Sequence, residues 1–150
     1  MRRSTRLRRD DSGRLEQPIR GRERRNLVAL FWVGLGGFFG SIARYTISVA
    51  AAARWGPLFP WGTFVINITG SFILGFFMAF AHYRPWLHAQ VRLLFAVGFV
   101  GAYTTFSTYT YESLRLMMDG QFVLAALNVI GSVVVGLAAV FAGFMLGDYI

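Results

Sequence analysis

The chain has 150 residues, 55% of them hydrophobic, and a mean hydropathy of +0.50. Residues 1–26 hold 14 of the 22 charged side chains, ten Arg and four acids, so the other 124 residues carry only eight. Soluble domains average about one charged residue in four, so this chain cannot solvate its own surface and reads as a membrane protein. Absent cysteine excludes disulfides, thiolate zinc sites and cysteine nucleophiles. Two His and seven acids, four of those acids within residues 1–26, leave a metal-hydrolase constellation short of parts, and the chain is not read as an enzyme.

Residues 1–26, MRRSTRLRRDDSGRLEQPIRGRERRN, contain no apolar run and so are not a signal peptide. They read as an Arg-rich, solvated and disordered cytoplasmic arm beside anionic lipid headgroups, in preference to a nucleic-acid-binding segment. Residues 27–150 form the membrane domain. Leu27 to Ala53 is interrupted only by Arg44, Gly62 to Ala81 is uncharged, and so are Leu93 to Tyr111 and Gln121 to Gly147. Each is long enough for a helix to cross the hydrocarbon, which takes about 20 residues. The prolines (Pro18, Pro57, Pro60 and Pro85) all lie outside these stretches, with connectors expected near 54–61, 82–92 and 112–120. The alternation of a barrel is missing, so the fold class is an all-α membrane protein with four transmembrane helices. Near the membrane, Arg14, Arg20, Arg22, Arg24, Arg25, Arg84 and Arg92 fall on one side and Arg54 and Arg115 on the other. That imbalance puts both termini in the cytoplasm.

Glycines crowd the spans, and Gly36-xxx-Gly40 and Gly143-xxx-Gly147 each set two on one face, a spacing that lets helix backbones approach closely in lipid. Four short, tightly packed helices enclose little volume, so a dimer is expected. Intramembrane polar residues are few and therefore informative. Thr104-Thr105-Phe106-Ser107-Thr108-Tyr109-Thr110-Tyr111 places five hydroxyl residues and three aromatics in eight positions. This is a poor helix window, and with Gly98 and Gly101 before it the third helix is expected to break. Thr63 and Asn67, four apart, share a face of the second helix, and Phe106 and Tyr109 share one if the helix resumes. Hydroxyls, amide N–H groups and electropositive ring edges can meet an anion without burying a charge. The path they describe is neutral, narrow and donor-rich, whereas a cation conductor would show acidic rings or open carbonyl arrays.

Three stretches together resemble the Fluc (CrcB-type) fluoride channels. They are Gly36-Gly37-x-x-Gly40-x-x-x-Arg44-Tyr45, Gly62-Thr63-x-x-x-Asn67-x-x-Gly70-Ser71, and Gly98-x-x-Gly101-x-x-Thr104-Thr105-Phe106-Ser107-Thr108. The likeness covers about residues 27–147. It implies a four-helix subunit with a broken third helix, paired as an inverted (antiparallel) dimer with two fluoride pores along the interface. It implies that Asn67 lines the pore, that Phe106 and Tyr109 form an aromatic box, and that Ser107, Thr63 and Ser132 belong to a polar track with Glu112 near its end. Arg44 would draw anions to the aqueous mouth. Gly101 and Thr104 would offer carbonyls to one structural sodium ion at the dimer interface.

Two residues depart from the family pattern. Tyr109 stands where Phe is usual, its hydroxyl either adding a donor or narrowing the route. Asn128 stands where an aromatic is usual and would extend the donor track. The arginine imbalance leaves two partners open: a dual-topology homodimer, or a heterodimer with an oppositely oriented paralogue. The expected function is passive export of fluoride across the cytoplasmic membrane. The alternatives are a non-conducting or assembly subunit of a paralogous pair and a small proton-coupled drug exporter, the latter disfavoured because no carboxylate lies inside a span, Glu112 being at an end.

Overall fold

A computed structural model describes residues 19–82, 84 and 87–150. Its helices are α1 (Ile19–Trp55), α2 (Trp61–His82), α3 (residues 89–103), α4 (Phe106–Met118) and α5 (Phe122–Tyr149). Among the described residues, four spans are long and apolar enough to cross a membrane: Glu23–Trp55, Trp61–His82, Ala89–Met118 and Phe122–Tyr149. The protein is a multi-pass membrane protein.

The helices run past the apolar stretches that define them. α1 already spans residues 19–26, part of the segment read as a disordered arm; residues 1–18 lie outside the described residues. Arg and Glu are good helix formers, and a helix nucleated in lipid extends into such residues at little cost. α4 likewise continues to Met118, so Glu112 lies in the middle of a helix rather than at the end of a span. The apolar Leu114, Leu116, Met117 and Met118 carry the helix on. It stops in a Schellman motif: Gly120 adopts φ +72°, Gly120 N–H bonds the Met117 carbonyl at 3.1 Å, and Gln121 N–H bonds the Leu116 carbonyl at 2.8 Å.

The third span changes character along its length. It is α-helical at Ala89–Arg92, π-helical over Leu93–Val100 and α-helical again at Gly101–Tyr103. Thr104 (φ −78°, ψ 156°) and Thr105 (φ −148°, ψ 120°) are extended before α4 begins.

Two helix pairs form the frame. α1 packs mainly on α3, and α2 on α5. α2 and α5 run parallel, so Gly143 faces the carbonyl of Phe72 and Gly147 that of Phe76 one turn on, while Gly36 and Gly40 face the carbonyls of Leu94 and Phe99. A Cβ at any of these positions would collide with backbone, so both spaced glycine pairs serve close helix approach, as their sequence spacing indicates. α4 touches the rest more sparingly.

Candidate functional site

The interruption at Thr104–Thr105 is built by side chains that replace helical backbone bonds. In an unbroken helix Thr105 N–H would reach the Gly101 carbonyl and Thr108 N–H the Thr104 carbonyl. Instead Thr105 N–H donates to Asn67 Oδ1 at 2.9 Å, and Thr108 N–H donates to Thr105 Oγ1 at 3.3 Å. Thr105 is thus the N-cap of α4. Asn67 completes a two-way clamp, since its Nδ2 donates to the Thr105 carbonyl at 3.1 Å. Among the described residues, the carbonyls of Gly101 and Thr104 are left with no backbone donor. Such unwound carbonyls at membrane depth are oxygen donors of the kind that suit Na⁺, so the residues present fit such an ion. No cluster of three or more His, Asp or Glu that could hold a metal lies among the described residues.

Asn67, Thr104, Thr105 and Phe106 line one pocket of about 240 Å³, with Gly70 and Ser71. It contains no ionisable side chain. Phe106 is 77% exposed on the subunit surface, and its ring meets that of Tyr109 at 5.8 Å between centroids and 42° between planes. Ser107 is exposed in the first turn of α4, its Oγ 3.5 Å from Thr105 Oγ1. Thr63 and Glu112 instead line a larger cavity of about 650 Å³ with Ser48, Arg115, Asp119 and Gln121. Thr63 and Asn67 are therefore one turn apart on α2 yet serve different cavities. Ser132 lies on α5 with its Oγ buried and unpartnered, as is Glu112 Oε2. Arg44 is half-buried on α1 and lines neither cavity.

The two departures from the family pattern take unexpected places. Tyr109 Oη donates to the Val129 carbonyl at 3.0 Å, so its proton is engaged within the subunit rather than added to a path. Asn128 is fully buried, and its Nδ2 donates to Ser113 Oγ at 2.9 Å; it does not extend an accessible donor track. A polar residue between two helices of one subunit satisfies itself there first.

Thr46, Thr69, Thr104 and Ser113 bond the carbonyl one turn back. Sequence reasoning left Thr105 out of the site, although it stands at the centre of the interruption. The signal was present, a Thr just before a helix start in a run of poor helix formers.

Residues 31–144 match the family described as CrcB-like protein, Camphor Resistance (CrcB). The chain belongs to the CrcB family. A relative from Koribacter versatilis, named Fluoride-specific ion channel FluC, is 50% identical over 109 residues, 73% of this chain and 86% of its own length. Relatives of the same name from Acidobacterium capsulatum (44% over 119 residues, 79% of this chain and 95% of the relative) and Magnetococcus marinus (42% over 123 residues, 82% and 100%) cover more of the chain. The CrcB match takes in both glycine seams except Gly147, and the whole of the interruption with its clamp.

Proposed function

We propose that this chain is the subunit of a passive fluoride channel in the cytoplasmic membrane, with both termini in the cytoplasm. The observation that carries the reading is the arrangement over residues 104–109. There Asn67 clamps an interrupted helix so that Phe106 stands bare on the subunit surface beside a pocket free of ionisable groups. The relatives named as fluoride-specific channels support it.

A second, oppositely oriented subunit covers this surface and makes two paths of it. Fluoride sheds its tightly held water stepwise, and hydroxyls of Thr63, Ser107 and Ser132, the second amide N–H of Asn67 and the ring edges of Phe106 and Tyr109 take the water's place. Neutral donors stabilise the anion without holding it so firmly that it cannot leave. Glu112, beside Thr63 in the wider cavity, stands near the end of the track, and Arg44 draws anions to the mouth. The carbonyls of Gly101 and Thr104 would hold one structural sodium ion shared between the subunits, which when bound supplies a fixed positive charge at their interface. The negative cell interior drives fluoride outward at about 2.3 kcal/mol per charge per 100 mV. The chain carries no GxxxxGK[ST] phosphate loop, and the path calls for no ATP.

The test is efflux of fluoride from proteoliposomes, with chloride as control, with and without a co-expressed paralogue. Fluoride should leave far faster than chloride. Vesicles impermeable to fluoride with either partner overturn the reading.

A further inference from the structure

The contact between α4 and α5 contains a chain of hydrogen bonds that no conducting role requires. Asn128, 0% exposed, donates through Nδ2 to Ser113 Oγ at 2.9 Å. Ser113 Oγ in turn donates to the carbonyl of Tyr109 at 2.8 Å. At the other end of the same residue, Tyr109 Oη donates to the Val129 carbonyl at 3.0 Å. Residue 109 is therefore tied to α5 twice, through its ring tip directly and through its backbone by way of Ser113.

Packing alone does not explain this construction. Asn128 Oδ1 is buried with no partner, and an unsatisfied buried acceptor weakens a fold. A leucine, branched at the same γ-carbon, would present only apolar atoms there without that defect. What the polar chain provides is direction, since one bond holds the tip of the Tyr109 side chain and the other holds its backbone carbonyl, so both ends of the residue are fixed against α5 where dispersion contacts would leave them freer. Phe106 projects from the subunit with the Tyr109 ring beside it, so the attitude of the aromatic pair follows that of Tyr109.

Resting on the proposed channel function, we infer that Asn128 and Ser113 are positioning residues, which hold the Tyr109 ring, and through it Phe106, with edges toward the ion path and thereby set discrimination between fluoride and larger halides. A ring face is electron-rich and repels an anion. A loosened pair exposes faces part of the time, slowing fluoride, and opens an aperture that chloride can enter.

Asn128→Leu, Ser113→Ala and the double variant test this in proteoliposomes. Each single change should leave assembly by size-exclusion chromatography intact, yet lower fluoride efflux and the fluoride-to-chloride ratio by about tenfold, the size of effect expected from losing one such bond. The double variant should be no worse than the more severe single one, because both cut the same chain. Ser113→Ala is the milder cut should Asn128→Leu fail to assemble. A second readout does not depend on conduction: 3-fluorotyrosine at position 109 should give one narrow ¹⁹F resonance in the unmodified background and a broadened or split one in either variant. Wild-type flux and selectivity in the variants, additive losses, or an unchanged resonance would each overturn the inference. An impermeable wild type with a resonance that broadens on mutation would instead remove the channel reading and leave the clamp standing.

Discussion

Asn67 uses both ends of its amide on a single peptide unit, accepting from Thr105 N–H and donating to the Thr105 carbonyl. Aspartate is nearly isosteric but keeps only the acceptor, turns a donor into an oxygen facing a carbonyl, and adds negative charge inside the membrane. Asn67→Asp should therefore reduce fluoride efflux by about a hundredfold, a barrier of the order found for a charge at a helix centre; undiminished efflux would remove Asn67 from the path. Thr105→Val keeps the shape and deletes the cap on Thr108 N–H. It should lower stability by about 1 kcal/mol, read from the unfolding midpoint in mixed detergent. The helical spacing of Thr63 and Asn67 made their shared face legible in the sequence. The clamp was not, because Asn67 and Thr105 are 38 residues apart and nothing local tells which backbone an amide will meet. Asn128 was misread for the same reason: its residue type announces a donor, but only packing decides whether the donor points into a path or into the subunit.

Hydropathy located four spans because lipid imposes the same length on each, and the extended residues Thr104 and Thr105 fall in the poor helix window at 104–111. Helix ends were less legible, since helical hydrogen bonding outlasts the apolar run wherever good formers follow. The π-helical stretch Leu93–Val100 leaves no mark in composition; it is as apolar as any α-helical span. The glycine seams give a sharp test at this scale. A Cβ at Gly34 meets nothing within 4 Å, whereas one at Gly36 meets the Leu94 carbonyl. Gly34→Ala should be neutral or stabilise by up to about 1 kcal/mol through helix propensity. Gly36→Ala, two residues away, should destabilise by roughly 1–3 kcal/mol through overpacking. Equal unfolding midpoints for the two variants would mean that the α1–α3 contact is looser than its geometry.

For the whole molecule, arginine placement makes a prediction that the subunit's own fold does not. Arg44 aside, the chain's basic residues flank the spans far more heavily on one side, so a C-terminal tag should be accessible from one face of the membrane only, with the opposite orientation supplied by another chain. Equal labelling from both faces without any paralogue would show instead that the subunit pairs with its own inverted copy. The frame also divides unevenly: α1 with α3 and α2 with α5 meet backbone to backbone, while α4 packs more sparingly and is tied by directional bonds, to α2 through Asn67 and to α5 through Tyr109 and Asn128. Close-packed seams tolerate a changed solvent better than single polar ties, which water or a detergent headgroup can replace. Protein carried through increasingly harsh detergent and then returned to vesicles should therefore lose halide passage while circular dichroism in that detergent still reports a fully helical protein.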